Sequence, residues 1–560
     1  MTDSAPFRKA RGAFFTPPEI TRFIAGRAVR TPTDSVLEPS CGEAAFLLAA
    51  GQRLNDLGTR TEDLGEQLYG IEIHRPSAET GLAELRRRGL NADLRVADFF
   101  DCTPEPRYDA VIGNPPYIRY QHFSGEARLK SLEAALAAGV RLTGLASSWA
   151  AFVVHASRFL TPEGRLGLVL PAELLTVNYA ARVRRFLLDR FSRVQLVMFD
   201  TRVFPGVLEE VVLLLAEGSG GASSFEVFQA RDLADLDRLE TGGWTGVDLG
   251  AVDKWTPVLL SQSSVDIYRN LCRRESFCAL LDWGSTYLGA VTGNNGYFTL
   301  SGADIARYRL SPHDLLPISP PGSRHLNGLS FTAAARERLG KAGGRCFLFY
   351  PKADTPRGPP ARFIAEGEQR TVNAAYKCRM RRPWWRVPTV AVPDLLLTYM
   401  NHDRPRLITN EAGAHIINSV YGVLLHPERR ELGRALLPLA SLNSVTLLGA
   451  EMVGRAYGGG LLKLEPREAD RLPLPSPETV AALASELEAL RPAVEASLRR
   501  NDPEHAIGLV DEIMLSRHLG IKATELAALR AARRFLFRRR TGRGPMIARE
   551  MPVVLADGPH

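Results

Sequence analysis

Cysteine is scarce: six in 560 residues, at Cys41, Cys102, Cys272, Cys278, Cys346 and Cys378. None forms a C-x-x-C pair, so neither a zinc site nor a disulfide framework is indicated, no metal is expected, and a reducing cytoplasm fits. Long apolar runs are missing too. Nothing approaches the ~20 residues of a membrane span, and Met1 to Arg11 is polar, without the apolar core of a signal peptide. No membrane partner is expected. The first strand–turn–helix carries no G-x-G-x-x-G, which disfavours a nicotinamide cofactor. Acidic charge is outweighed, 62 Asp and Glu against 70 Lys and Arg, leaving a net charge of +8. With a pI near 9.2, this favours a polyanionic partner. The remaining composition, 45% hydrophobic and 24% charged, is that of globular protein, long enough for two or three domains at about 150 residues each.

The most informative stretch is Asn114-Pro115-Pro116-Tyr117, which follows the strand-like run Tyr108 to Gly113. The Asn114 side-chain oxygen is an acceptor, and the Pro115 carbonyl is a second. Pro116 lacks an N–H and has a fixed φ, so it joins neither ladder nor helix and holds that carbonyl in place. Two acceptors gripping an exocyclic –NH2 draw its lone pair out of conjugation and free it to attack a methyl group without a strong base. Tyr117 stacks on the ring that carries the amine. Taken alone, the motif reads equally well as a proline-rich turn.

Its neighbours favour the chemical reading. Ser35 to Leu48 reads as strand, tight turn and helix, with Glu38 at the strand's carboxyl end and Gly42 in the turn. A second strand, Leu68 to Ile73, ends in Glu72, placed for paired ribose hydroxyls. A third ends in Asp98, an acceptor for an adenine amine, beside Phe99, a cover for the adenine face. Each has a dull explanation as a strand-end acid or a core ring. Four successive strands ending in what an adenosyl cofactor needs outweigh those explanations together.

In this order the motifs resemble the gamma class of amino DNA methyltransferases, which use S-adenosylmethionine. Phe14 to Glu19, ahead of the Glu38–Gly42 turn, looks like that family's methionine-binding motif. The resemblance implies that Thr16, Glu38, Ser40, Gly42, Glu72, Ile73, Asp98, Phe99 and Asn114 hold the cofactor and that Asn114, Pro115, Pro116 and Tyr117 hold the target base. Val203 to Val207 looks like the motif whose phenylalanine, here Phe204, stacks on the opposite face of that base. One position departs from the pattern: the family's turn has a second glycine where this chain has Ala44.

The implied fold is α/β, a Rossmann-like methyltransferase domain with a mostly parallel seven-stranded sheet (1–250), a mixed α+β target-recognition region (251–475) and a basic helical tail (476–560). Within the first, 121–143 reads as a helix-rich insert and Ser147 to Leu160 as an amphipathic helix. Within the second, Leu288 to Phe298 reads as strand and turn. Thr292-Gly293 and Gly458 to Gly460 resemble the family's recognition-region markers. Ala375 to Arg386 interleaves cations with aromatics. Lys377, Arg379, Arg381, Arg382 and Arg386 are expected on DNA, while the Trp384–Trp385 pair reads better as core than as a wedge between bases. The tail arginines 530, 533, 534, 538, 539, 540 and 543 are expected to grip phosphates.

The expected activity is site-specific methylation of double-stranded DNA by base flipping, with adenine N6 favoured and cytosine N4 the alternative. A ribosomal-RNA or protein-glutamine methyltransferase is a further alternative, disfavoured by the motif at Thr16 and the long C-terminal region. A DNA-binding module with a degenerate catalytic half is disfavoured by the intact cofactor positions. With no nuclease pattern and no spare domain, a modification enzyme is expected, nucleoid-associated, solitary or paired with a separate cognate restriction endonuclease.

Overall fold

The computed structural model describes residues 16–118, 122–144, 146–199, 203–204, 211–241, 243–248, 254–457 and 460–541. Phe14, Phe15, Pro205 to Val207, Gly458, Gly459 and Arg543 lie outside the described residues. The chain divides into two compact units, Met1–Leu259 and Leu260–His560.

Among the described residues the first unit is built on nine strands: β1 Val36–Pro39, β2 Leu68–Glu72, β3 Asp93–Val96, β4 Tyr108–Gly113, β5 Leu160–Pro171, β6 Arg193–Phe199, β7 Val211–Glu217, β8 Ser224–Ala230 and β9 Thr245–Asp248. They lie in the order β3-β2-β1-β4-β5-β7-β6-β8-β9. β1 to β5 pair in parallel. β7 enters antiparallel between β5 and β6. Seven strands were expected; β8 and β9 extend the sheet beyond them. The buried positions Phe225 and Val227 alternate along β8, a period-two pattern.

The strand order reverses between β1 and β4. At such a switch point the loops leaving the two strands part and open a crevice beyond their carboxyl ends. Six of the described helices of this unit are α1 Pro18–Ala28, α2 Ala45–Asp56, α3 Arg75–Arg87, α4 Gly125–Leu136, α5 Ser148–Ala156 and α6 Ala181–Arg190. α5 departs from expectation: all nine of its residues are buried. Beside the sheet it is also packed by α4 and α6, so it has no solvent face and no amphipathic stripe.

The second unit holds a five-stranded sheet of β10 Gly284–Leu288, β11 Ser330–Phe331, β12 Leu395–Leu397, β13 Leu407–Asn410 and β14 Tyr421–Leu425, in the order β10-β14-β12-β13-β11. The strand expected near Leu288 ends there; the chain turns through Thr292 and Gly293 into the short helix Asn295–Phe298. The helices α7 Tyr376–Arg379, α8 Ser444–Val453, α9 Pro503–Asp511 and α10 Ala523–Thr541 follow. The helical tail packs into this unit: α10 lies against α8.

That packing corrects the reading of the tail arginines. Arg530 reaches Asp511 at 2.8 Å, Arg533 reaches Glu504 at 2.9 Å and Arg540 reaches Glu451 at 2.7 Å. Arg540 also donates to the His402 carbonyl at 2.9 Å. These three guanidiniums serve the unit's own packing, while Arg534 and Arg538 stay exposed. No single helix among the described residues is long and apolar enough to cross a membrane.

Arg540→Ala leaves a buried carboxylate without its cation, so it is expected to destabilise the second unit by about 3–5 kcal/mol. Guanidinium-induced unfolding of the full chain measures this. The Glu451→Leu, Arg540→Met pair is expected to recover most of the loss.

Candidate functional site

At the switch point lies a cavity of about 380 Å³, the size of a small-molecule site. Its wall includes Thr16, Glu38, Ser40, Gly42, Glu72, Ile73, Asp98, Phe99 and Asn114, residues scattered over 99 positions of sequence.

The turn between β1 and α2 shapes one side. Ser40, Gly42 and Ala44 all have left-handed φ, at 63°, 53° and 64°, so the chain folds back tightly before the helix begins. Ala44, the residue before α2, offers no side-chain cap. Glu38 supplies one from β1: its carboxylate accepts from the Leu47 N–H at 2.9 Å, one of the donors a helix start leaves unpaired. Burial pushes this carboxyl well above the usual carboxylate range, against the pull of the Leu47 and Phe46 N–H groups. Glu72 ties the same turn from β2, accepting from Gly42 N at 2.8 Å and from His74 N at 2.8 Å. Both acids therefore position the backbone as well as facing the cavity.

Ala44 occupies its left-handed position because α3 makes room for it. A Cβ at Gly81 would come within 3.1 Å of the Ala44 methyl and 3.0 Å of the Glu43 carbonyl carbon. The glycine absent from the turn is in effect moved to the helix facing it.

The opposite side is apolar. Ile73 lines the cavity with 67% of its surface exposed, and Phe99 faces it from a packed base. The Phe99 ring lies 4.7 Å from both Phe152 and His155. Asp98 accepts from Phe100 N at 3.0 Å. Phe123 and Ala127, from the insert around α4, complete the wall; nothing local in the sequence singled out either of them.

Asn114 leaves β4 on the cavity's edge. Its Nδ2 donates to Thr16 Oγ1 at 3.1 Å, while its Oδ1 is buried with no hydrogen-bond partner among the described residues. Leaving a buried acceptor unpaired costs about 1–3 kcal/mol, so this oxygen is held ready for a donor that arrives with a ligand. Thr16, expected on the cofactor, thus also orients the asparagine. The Tyr117 hydroxyl donates to the Val169 carbonyl at 2.9 Å. Ser148, which the sequence reading missed, fastens the loop: its hydroxyl accepts from Ile118 N at 2.9 Å and donates to the Pro116 carbonyl. Its only signal was a serine pair before a helix. Phe204 is 5% exposed in an apolar cluster with Phe199, Val203 and Val211. In this conformation its ring packs in the core and does not line the cavity.

Two family models match the chain: N-6 DNA methylase over residues 2–220, and the C-terminal domain of Type II methyltransferase M.Eco57I over residues 252–515. Two relatives span both segments. Type II methyltransferase M.AccI of Acinetobacter calcoaceticus is 22% identical, covering 84% of this chain and 86% of its own. Type II methyltransferase M.XamI of Xanthomonas campestris pv. amaranthicola is 26% identical, with the same coverage. The chain belongs to the amino DNA methyltransferases. It is a site-specific, S-adenosylmethionine-dependent enzyme. The Type IIL restriction-modification enzyme MmeI, solved with DNA, shares its fold with a TM-score of 0.52 at 11% identity, over 94% of this chain and 75% of that one.

The methyltransferase's cavity suits its cofactor. At Gly42 a Cβ would point into open space, a cradle where backbone can approach a ligand. The exposed Ile73 face and the buried Phe99 bound an apolar slot of the kind a purine fills.

The residues proposed for DNA on the second unit divide in two. Lys377, Arg379 and Arg382 are exposed. Arg381 instead donates to the Val291 carbonyl at 3.1 Å and to that of Thr292. Arg386 is held by Asp354 at 2.6 Å and by the Ala353 carbonyl at 2.9 Å. Trp385 is buried and Trp384 packs on Tyr297 and Phe298.

Gly81→Ala is expected to destabilise the first unit by about 1–3 kcal/mol and to weaken cofactor binding, with Ala44→Gly recovering part of both losses; thermal unfolding and equilibrium dialysis read the two effects. His155 gives a pH test. Burial holds its ring at a pKa of about 4, and its neutral Nε2–H donates to the Phe99 carbonyl at 3.2 Å. Because the folded value lies below the unfolded ~6.5, the unfolded chain takes up a proton first as pH falls. This contribution is full above pH ~6.5 and declines toward pH 4 by up to about 1.4 kcal/mol per unit. Urea unfolding of wild type and His155→Gln should differ in slope over that interval and run parallel above it.

Proposed function

We propose that the enzyme methylates the exocyclic amine of a base flipped from duplex DNA, and that the base is adenine, modified at N6. The observation that carries this reading is the buried, partnerless Oδ1 of Asn114, aimed by the Thr16 contact on its amide nitrogen. In this reading Oδ1 accepts one N–H of the target amine and the Pro115 carbonyl accepts the other. Tyr117, tethered through its hydroxyl, lies along the base. Ser148 keeps the Pro116–Ile118 loop at a fixed height above α5. A few tenths of an ångström matter here, because the nitrogen must point at the donor in line.

Thr16, Glu38, Ser40, Gly42, Glu72, Ile73, Asp98 and Phe99 would hold S-adenosylmethionine, which supplies an electrophilic methyl group. Glu72 and Asp98 each turn a carboxylate toward the cavity for hydroxyl or amine donors, and Ile73 and Phe99 take the two faces of the purine. No general base is needed while both amine protons are held by acceptors, since a proton leaves to solvent only after the nitrogen has gained the methyl group and become a positively charged, acidic ammonium. Phe204 would join the base pocket only after leaving its core position. Lys377, Arg379 and Arg382 contact backbone phosphates, with Arg381 and Arg386 shaping the loop that carries them. A separate cognate restriction endonuclease is the proposed partner in the cell.

Asn114→Ala is expected to lower methyl transfer to unmethylated plasmid DNA by more than 1000-fold while cofactor affinity stays within about threefold of wild type. Retained turnover would sink the assignment. Sequencing plasmid from cells expressing the chain, with readout of modified bases, identifies the base: N6-methyladenine at one short motif supports the proposal, and N4-methylcytosine overturns the choice of adenine.

A further inference from the structure

The two most exposed large apolar side chains among the described residues of the second unit are Tyr376 and Met380, at 62% and 68%. They sit at the start of α7 and immediately after it. Between them Cys378 is completely buried, its thiol donating to the Thr292 carbonyl at 3.7 Å. Arg381 closes the turn from below, donating to Lys377 O at 2.8 Å and to the Val291 carbonyl at 3.1 Å. Gly293, at φ 83°, lies so close beneath that a Cβ there would meet Cys378 Sγ and Arg381 Nη2, both at 3.0 Å. The short helix is therefore bolted to the Thr292–Gly293 loop. Its outward apolar pair stands on a rigid base and is not a frayed end.

Three exposed cations surround the pair: Lys377, Arg379 and Arg382. Lys377 Nζ lies 5.7 Å and Arg379 Cζ 5.9 Å from the Tyr376 ring centroid. An aromatic ring and a thioether held in water within a ring of positive charge match a partner that is both polyanionic and stacked. Duplex DNA has both properties: phosphates for the cations, and base steps that unstack to admit an apolar wedge. An acidic protein surface would answer the charge but would offer no such slot.

We infer that Tyr376 and Met380 form the apolar wedge of the DNA-binding surface, entering a groove against the base edges while Lys377, Arg379 and Arg382 take the flanking phosphates. This rests on the reading of duplex DNA as the substrate, and it gives the wedge role to residues other than the tryptophans of the same segment.

The test measures binding of the full chain to unmethylated plasmid fragments over a range of salt. A Tyr376→Ser, Met380→Ser variant should bind about tenfold or more weakly with its log K against log salt slope unchanged, because apolar contacts release no counterions. A Lys377→Gln, Arg379→Gln, Arg382→Gln variant should lose about 0.9 of slope per phosphate contact removed. Tyr376→Phe with Met380→Leu should restore affinity, and all variants should keep wild-type cofactor binding and thermal midpoint. Wild-type affinity in the serine variant, or a loss that appears as a change of slope, overturns the wedge. If the wild type methylates the plasmid while the serine variant is unaffected, only the wedge falls; if the wild type neither binds nor methylates DNA, the substrate reading falls with it.

Discussion

Two carboxylates at the ends of neighbouring parallel strands hold the catalytic unit's architecture together. Glu38 on β1 takes the Leu47 N–H at the start of α2, and Glu72 on β2 takes the Gly42 N–H in the turn before it. Each places an acceptor oxygen where a helix start or a tight turn leaves donors unpaired. Without them the turn through Ser40, Gly42 and Ala44 would rest on its backbone bonds alone, such as Ala44 N to the Cys41 carbonyl at 2.7 Å. The cavity floor is that turn, so the cofactor site depends on these bonds before any ligand enters.

The Asn114 side of the cavity rests on smaller contacts of the same kind. Thr16, ahead of α1, reaches across the unit to the Asn114 amide nitrogen and so decides which way its oxygen faces. Ser148, at the start of the buried helix α5, pins the loop after Pro116 at two points. The rigidity of α5, buried on every side, passes to a loop that a Pro-Pro sequence has already deprived of alternatives. Preorganisation here is a hydrogen-bond property laid over a packing property.

Legibility in the sequence differed sharply between the units. In the first, the strand-end residues expected on the cofactor coincide with the cavity wall, because a parallel sheet places its loops at one edge and the hydrophobic runs mark where those loops begin. What stayed hidden were contacts made by common residues: Ser148, Gly81 opposite Ala44, and Phe123 and Ala127 of the insert. A serine or glycine gains its meaning only from what faces it. In the second unit the segment Ala375 to Arg386 was recognisable as a surface of interest and its tryptophans read as core, yet which of its other side chains face outward was not legible. The tryptophans went inward, Arg381 and Arg386 became struts, and Tyr376 and Met380 were left in water.

The tail shows the same division. Its arginines were countable in the sequence, but Asp511, Glu504 and Glu451, which take three of them, lie 19, 29 and 89 residues away. The sequence by itself determined the class of protein and which donors and acceptors it can offer, since Asn114-Pro115-Pro116-Tyr117 and the acids at 38, 72 and 98 carry them wherever the chain folds. Only the tertiary structure decided which charges face inward, how the Asn114 amide is turned and which apolar residues remain exposed. Those outcomes depend on partners distant along the chain, and periodicity and local motif report only on neighbours.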